Sequence, residues 1–419
     1  MTHRARMPGP NRKYALKSAG KSVGSAPNVP SGTPSGGDFF AAAQYSDWVR
    51  GSIRALAGRP NAIALYDSTI SEPSDLLAGL VAKSLVTVDD DGAPRLSSRY
   101  VSVFANGNRF LVDALCARYD ETPERLQTVT GVTGALQLIL RALVKPGERV
   151  LIENPGFKLL TNLALEAGAV VDEVDRPAPH FGIDPAQVAA KLTPETRLVI
   201  LTNPHNPTGA FLDHATLKAV AQAAATVGAL LVVDEVYGDF ARRPSAGLAA
   251  RLAPNIVSLA SLTKVFGLFA LKCGWMVAAP EVLGRIRAGQ PEGDVGVSKL
   301  SHAVAAHVME NADTFDRHWQ AVMTSTTPVL HRHAAAMRDE GLIEGAVPAA
   351  GCLYFPRIVG VADTLALTRH LWNQVDLLVA PGEYFGLAGH VRLGYAGDAE
   401  TLDRGLSRLH AGLRAWRDR

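Results

Sequence analysis

Short apolar runs alternate with amphipathic stretches from residue 126 to about 310. Residues 198–201 and 230–233 are apolar at every position, which is typical of strands covered on both faces. Residues 133–144 and 214–225 carry apolar residues at helical spacing instead. This alternation predicts an α/β fold, in which a three-layer large domain holds a mostly parallel sheet with helices on both faces.

The two ends of the chain follow other patterns. Residues 1–37 are rich in Ser, Gly and Pro and carry six Lys or Arg and no acid. An organelle transit peptide shares that composition, but disorder is the simpler interpretation. Strand patterns near residues 377–380 and 390–393 and a final helix predict a smaller α+β domain. The predicted units are a disordered basic tail (1–37), an N-terminal arm with part of the small domain (38–95), the large domain (96–320) and the C-terminal small domain (321–419).

Composition and charge limit the partners, the metal sites and the cellular location that we expect. The 419 residues carry a formal charge of +2, so no strong field favours nucleic acid as a partner. No apolar run reaches the length of a membrane span, so we expect no membrane partner. The three cysteines lie far apart in the chain and form neither a metal-spaced cluster nor a disulfide framework. We therefore expect a cytoplasmic enzyme with no metal site.

Polar motifs follow successive predicted strands. Residues 131–134 (Gly-Val-Thr-Gly) open a helix after the first strand of the alternating region. Residues 202–209 (Thr-Asn-Pro-His-Asn-Pro-Thr-Gly), 234–237 (Asp-Glu-Val-Tyr) and 261–264 (Ser-Leu-Thr-Lys) follow three later strands. Because ligands bind at the carboxyl ends of the strands in such sheets, we expect these motifs to meet around one ligand.

The residue types at these strand ends suit a phosphorylated, cationic, aromatic aldehyde. Lys264 can form an imine with the aldehyde, and Asp234 can keep a pyridine nitrogen protonated. Asn206 and Tyr237 can donate hydrogen bonds to a ring phenolate. Thr133 at a helix start can help to hold a phosphate. Each residue also has a purely structural alternative, such as a surface lysine, a helix N-cap or core packing, so the prediction depends on their order and placement.

This set of motifs resembles the class I/II family of pyridoxal-phosphate-dependent aminotransferases over roughly residues 60–410. The resemblance rests on Asn-Pro-His-Asn-Pro-Thr-Gly at 203–209, Asp-x-x-Tyr at 234–237, and Ser-x-Thr-Lys at 261–264 followed by Phe266-Gly267. It implies an aspartate aminotransferase-like fold and pyridoxal 5'-phosphate as the cofactor. It also implies amino acid and 2-oxo acid substrates, and a homodimer with active sites at the subunit boundary.

The resemblance further implies a role for individual residues. Lys264 would be the Schiff-base lysine and the base that moves the proton, with Asp234 and Tyr237 as the other catalytic residues. Arg392 would grip the substrate α-carboxylate as a bidentate fork, with Asn206 beside it. The cofactor contacts implied are Val132, Thr133, Phe157 (stacked on the ring), Asn206, Asp234, Tyr237, Ser261, Thr263, Lys264, Lys272 and, toward the partner subunit's phosphate, Tyr100.

The sequence departs from the family pattern at several positions. Lys272 stands where the family has arginine, and a lysine neutralises phosphate as a point charge without the two-pronged contact. Residues 71–73 (Ser-Glu-Pro) are an imperfect match to the usual Gly-Glu-Pro. We predict transamination between an L-amino acid and a 2-oxo acid. A β-elimination lyase, a cyclising synthase or an oxidase remains the alternative, because such enzymes share these motifs.

Two other classes of protein fit less well. A cofactor-binding regulator fused to a DNA-binding module needs a winged-helix segment before residue 60, and residues 1–37 are too polar and too rich in Pro and Gly for one. A nucleotide-binding Rossmann enzyme needs Gly-x-Gly-x-x-Gly after an early strand, and the sequence has none there.

Overall fold

A computed structural model describes residues 38–86, 96, 107–241, 247–290 and 298–419. The predicted tail at 1–37 and Tyr100 lie outside the described residues. The α-helices in the described ranges are α1 (Tyr45–Ala57), α2 (Ser74–Val86), α3 (Arg109–Tyr119), α4 (Gly131–Leu143), α5 (Leu159–Glu166), α6 (Pro185–Lys191), α7 (His214–Ala225), α8 (Pro280–Ala288), α9 (Lys299–Glu310), α10 (Ala312–Asp339), α11 (Thr364–Val375) and α12 (Ala399–Arg417).

The strands of the described residues fall into one large sheet and several short pairings. They are β1 (Ile63–Ala64), β2 (Leu126–Val129), β3 (Arg149–Asn154), β4 (Val170–Asp175), β5 (Thr196–Thr202), β6 (Leu230–Asp234), β7 (Ile256–Ser261), β8 (Gly274–Val277), β9 (Ile343–Glu344), β10 (Leu353–Tyr354), β11 (Arg357–Ile358), β12 (Leu377–Leu378), β13 (Ala380–Pro381) and β14 (Val391–Gly394).

The large sheet has the order β2-β8-β7-β6-β5-β3-β4. Strand β8 runs antiparallel to both of its neighbours, and the pairings from β7 to β4 are all parallel. The α/β fold with a mostly parallel sheet is therefore confirmed. Strands β5, β6 and β7 lie side by side, so the motifs that follow them meet at one edge of the sheet.

Helices cover both faces of this sheet, which explains the strands that are apolar at every position. In β6, Leu230 and Val232 pack in a cluster with residues of α4, α5 and α8. Leu231 and Val233 point to the opposite face and pack with residues of α6 and α7. Since neighbouring side chains of a strand face opposite sides, a strand between two helical layers needs apolar residues throughout.

The remaining elements gather around short strands near the C-terminus. Strand β14 lies between β10 and β13, and β1 pairs in parallel with β12. Residues 63–64 therefore join the C-terminal elements, with α10, α11 and α12 packed near them. Helix α10 crosses residue 320, where the sequence predicts a boundary, so the division into two domains remains a proposal. No helix in the described ranges combines the length and the apolar character that crossing a bilayer requires.

Candidate active site

A cavity of about 910 Å³ lies at the carboxyl edge of β5, β6 and β7. It is lined by every predicted site residue that the structure describes. These residues are Val132, Thr133, Phe157, Asn206, Asp234, Tyr237, Ser261, Thr263, Lys264, Lys272 and Arg392. The structure thus brings together residues that are up to 260 positions apart in the chain, counted from Val132 to Arg392.

Lys264 lies three residues beyond the end of β7. Its Nζ donates to Ser68 Oγ at 3.1 Å and lies 3.4 Å from Thr69 Oγ1. Burial, and then the positive charge of Arg392, lower the pKa of this amine below its ordinary value. The neutral, nucleophilic form is therefore more populated than in an exposed lysine. Ser68 and Thr69 were missed in the sequence, although they follow the short strand β1 as the other site residues follow theirs.

Asp234 is the last residue of β6 and is buried. One carboxylate oxygen, Oδ1, accepts a hydrogen bond from Val236 N at 3.1 Å. Burial raises the pKa of this carboxyl to about 7. No described residue forms an ion pair with it, so a cationic ring nitrogen would stabilise its charged form.

Tyr237 and Asn206 supply hydrogen-bond donors next to this carboxylate. The Tyr237 hydroxyl is buried and has no partner in hydrogen-bonding geometry among the described residues. Asn206 N donates to Thr202 Oγ1 at 3.1 Å, and Asn206 Oδ1 accepts from Arg392 Nη1 at 2.9 Å. Because Oδ1 is engaged by Arg392, the Nδ2 group remains to donate to a ligand.

Arg392 lies in β14 with 1% of its surface exposed. Besides Asn206, its guanidinium donates through Nη2 to the Tyr66 carbonyl oxygen at 2.8 Å and to the Tyr45 hydroxyl. The Phe385 ring centre lies 4.7 Å from its Cζ. Its Nε has no partner in the described part of the chain and remains for a ligand. No sequence motif marks Tyr45 or Phe385, because their role depends on where Arg392 lies in space.

The opposite end of the cavity suits an anion. Helix α4 begins there at Gly131, and Thr130 makes no side-chain hydrogen bond to its first turn. Val132 and Thr133 therefore present first-turn N–H groups that have no side-chain cap, at the positive end of the helix dipole. Ser261, the last residue of β7, lines the same cavity.

Two further residues complete this end of the cavity. Thr263 N donates to Ser261 Oγ at 3.3 Å, which closes the turn before Lys264. Lys272 is exposed, and its Nζ lies 3.6 Å from the centre of the Phe269 ring. A cation held over an aromatic face has a fixed position, and Lys272 lines the same cavity as the start of α4.

A phosphate, a pyridine ring and a ring oxygen each have a matching group in this arrangement. The uncapped start of α4 fits a phosphate, the buried Asp234 carboxylate fits a pyridinium, and the unpartnered Tyr237 hydroxyl fits a ring oxygen. Phe157 lines the same cavity beside the Tyr45 ring, at 6.2 Å between ring centres. Fold and site together define a pyridoxal-phosphate-dependent enzyme.

Comparison with known proteins confirms the family. The family model described as aminotransferase class I and II matches residues 94–409, and the chain belongs to this family. It is thus a pyridoxal-phosphate-dependent aminotransferase, which moves an amino group from an amino acid to a 2-oxo acid.

The proteins similar to this chain include a synthase and two aminotransferases. The chain is 29% identical over 314 residues to capreomycidine synthase of Streptomyces vinaceus, covering 73% of this chain and 79% of that one. It is 29% identical over 363 residues to a probable N-succinyldiaminopimelate aminotransferase of Mycobacterium tuberculosis, covering 77% and 89%. Aspartate aminotransferase of Thermus thermophilus with maleate shares the fold, with a TM-score of 0.76, 22% identity, and coverage of 87% and 96%.

The raised pKa of Asp234 predicts a pH-dependent effect of Asp234→Asn on the cofactor-free chain. The carboxyl has a pKa of about 7 when folded against an ordinary value of 3.8, so the stability that its protonation contributes is lost as the pH rises through about 7. Asparagine carries no charge and can still accept from Val236 N. The variant should be the more stable chain by up to about 4 kcal/mol at pH 8, and by little near pH 4.

Thermal melts of both cofactor-free chains between pH 4 and 9 measure this difference. Added pyridoxal phosphate should raise the melting temperature of the wild type more than that of the variant, since only the carboxylate can pair with a pyridinium. A stability difference that does not change with pH would contradict the assignment.

Proposed function

We propose that this cavity transfers the amino group of an L-amino acid to a 2-oxo acid, with Lys264 as the amine that binds the cofactor. The observation that carries the proposal is that Lys264, Asp234 and Arg392 line one cavity. Pyridoxal phosphate, when bound, supplies an aldehyde that condenses with amines and a ring that accepts electrons. The protein must hold the substrate, orient it and move a proton.

Arg392 is the group that holds the substrate α-carboxylate in this proposal. Its fixed, planar guanidinium suits two oxygen atoms at once, and its Nε is free to donate. Asn206, Tyr66 and Tyr45 each accept from its other nitrogens and so fix its orientation. A substrate held in this way would keep its Cα–H bond in one direction relative to Lys264.

Lys264 is the group that moves the proton at Cα. Its lowered pKa favours the neutral amine, which can accept a proton. The hydroxyl groups of Ser68 and Thr69 hold its Nζ in one place. Asp234 would hold the ring nitrogen of the cofactor in its protonated form, in which the ring accepts electrons.

A second candidate is a cyclising synthase that uses the same cofactor. The similarity to capreomycidine synthase favours it, and Lys272 in place of the family's arginine sets this chain apart from the usual pattern. Both reactions begin with removal of the Cα proton, so both use the residues named above. They differ in whether the cofactor keeps the amino group.

One experiment tests the proposal and separates the two reactions. The holoenzyme is mixed with single L-amino acids, and the visible absorbance of the bound cofactor is followed. Transamination predicts that one amino acid converts the cofactor to its amine form, and that a 2-oxo acid then restores the first spectrum. Turnover of the amino acid with no lasting change in the cofactor would favour the synthase instead, and inertness toward every amino acid would reject the proposed function.

The homodimer and the cytoplasmic location predicted from the sequence are also proposals. The homodimer is supported by the family, whose active sites lie at the subunit boundary. The cytoplasmic location is supported by the three widely spaced cysteines, which suit a reducing compartment.

A further inference from the structure

The charged residues that line the cavity divide into two groups. Four of them belong to the cofactor and carboxylate machinery proposed above, namely Asp234, Lys264, Lys272 and Arg392. The other charged residues among the described lining are Asp67, Glu72 and Asp398, and all three are acidic. The charged residues of the described lining that this machinery does not use are therefore all negative.

Asp67 differs from the other two acids because its carboxylate is free. Glu72 accepts from Ser74 Oγ at 3.0 Å, and Asp398 caps helix α12 by accepting from Thr401 N at 2.7 Å. Asp67 is exposed and forms no ion pair or side-chain hydrogen bond with the described residues. Its charge nevertheless acts on Lys264, whose pKa it raises in part. A free carboxylate near the reacting amine can bind a cationic group.

The residues before and after Asp67 in the chain form hydrogen bonds with Arg392 and Lys264, the two side chains proposed to act on the substrate. The Tyr66 carbonyl, one residue before, accepts from Arg392 Nη2 at 2.8 Å. The Ser68 hydroxyl, one residue after, accepts from Lys264 Nζ at 3.1 Å. The buried Nε of Arg392 has no partner, which points to an anionic group bound there. An amino acid with its carboxylate at Arg392 and its nitrogen near Lys264 therefore lies next to Asp67.

Two glycines hold the segment that carries Asp67 in place. Gly394 N donates to the Leu65 carbonyl at 2.7 Å, and a Cβ at Gly394 would lie 1.4 Å from the Asp67 carbonyl oxygen. At Gly267, which has a φ of 72°, a Cβ would lie 2.8 Å from Ile70 Cγ2. The backbone packs this closely because both positions lack a side chain. Asp67 thus lies on a tightly packed segment and not on a loose loop.

We propose that Asp67 selects amino-acid substrates with a cationic side chain, such as a guanidinium or an ammonium group. This inference rests on the transamination proposed above. A charge-assisted hydrogen bond to Asp67 favours the cation. A second carboxylate on the substrate would instead be repelled by the carboxylate of Asp67. The side chain of Asp67 therefore sets the class of substrate, and Arg392 and Lys264 act on any amino acid.

Arginine and citrulline are the matched pair of probes, because they share shape and length and differ in charge. Each is mixed with the holoenzyme, and the rate of change of the bound cofactor's visible absorbance is measured over a range of concentrations. The second-order rate constant should be about 10- to 100-fold higher for arginine, the size expected of one hydrogen bond to a charged group.

Variants separate selection by Asp67 from general damage to the site. Asp67→Asn should bring the ratio of arginine to citrulline close to one, because asparagine keeps the shape of the side chain and removes the charge that separates the two probes. Arg392→Lys should slow both probes alike, because the α-carboxylate is common to both. Glu166→Gln, an exposed charge outside the cavity lining, should leave the ratio unchanged.

The outcomes distinguish this inference from the proposed function. The predicted ratio and its loss in Asp67→Asn would support the inference. Equal rates for both probes in the wild type, equal slowing of both in Asp67→Asn, or faster reaction with aspartate or glutamate would overturn it and leave transamination standing. Failure of every amino acid to change the cofactor would reject the proposed function, and the inference with it.

Discussion

Lys264→Ala is expected to lower the rate of transamination at least about 10³-fold, the largest effect of any substitution in the cavity. The amine donates to Ser68 Oγ, and burial and the charge of Arg392 lower its pKa. Alanine removes both the nucleophile that binds the cofactor and the base that moves the proton. Steady-state rates and the visible spectrum of the purified variant measure the loss.

Covalent attachment gives a second readout for Lys264. Borohydride treatment of the wild-type holoenzyme should couple the cofactor to the peptide that contains residue 264, as shown by mass spectrometry, and the variant should give no such adduct. Lys218→Ala, an exposed lysine on α7, is the matched control and should keep both the adduct and the rate. An adduct at another lysine in the wild type would disprove the assignment.

Arg176→Met is expected to give the largest loss of stability, about 3–5 kcal/mol. Arg176 Nη1 donates to Glu153 Oε2 at 2.7 Å, and both side chains are fully buried. Methionine fills similar volume and leaves the Glu153 charge without its partner. The melting temperature of a chain of 419 residues should fall by roughly 3–6 °C.

Loss of the ion pair between Arg176 and Glu153 should also weaken substrate binding in the active site. Glu153 Oε1 accepts from the backbone N–H of Thr202 at 2.8 Å, and Thr202 Oγ1 accepts from Asn206 N at 3.1 Å. Asn206 in turn holds Arg392, so the KM for the amino acid should rise in Arg176→Met.

A double variant is the control for Arg176→Met. Glu153→Gln combined with Arg176→Met removes the unpaired charge and keeps an oxygen that can accept from Thr202 N. Replacement of a buried ion pair by uncharged groups often restores stability, so the double variant should recover about half of the loss or more. A single variant that melts at the wild-type temperature would show that the ion pair does not stabilise this part of the fold.

The pattern of apolar and polar residues along the chain was sufficient to predict most elements of the large sheet. The predicted helix at 214–225 coincides with α7, and the predicted strands near 198–201 and 230–233 became β5 and β6 with small changes at their ends. Periods of 2 and 3.6 residues are properties of neighbouring positions and can be read without a partner. Residues 63–68 form a strand of only two residues, because the chain turns there toward β14 and Lys264.

Strand order also made part of the site predictable. Motifs that follow parallel strands must meet at one edge, and Asn206, Asp234 and Lys264 do line one cavity. The family resemblance added Arg392, because the strand pattern near 390–393 predicted β14 but not that this side chain lines the cavity.

The amino-acid sequence by itself determined the class of fold, the family, the cofactor and the residues that follow the strands. The tertiary structure alone decided that Tyr45, Asn206 and Tyr66 share Arg392, and that Asp67 lies between the contacts to Arg392 and Lys264. The physical reason is distance along the chain. Contacts such as Asn206 with Arg392, 186 positions apart, arise from the packing of separate elements, and no local pattern encodes which elements pack together.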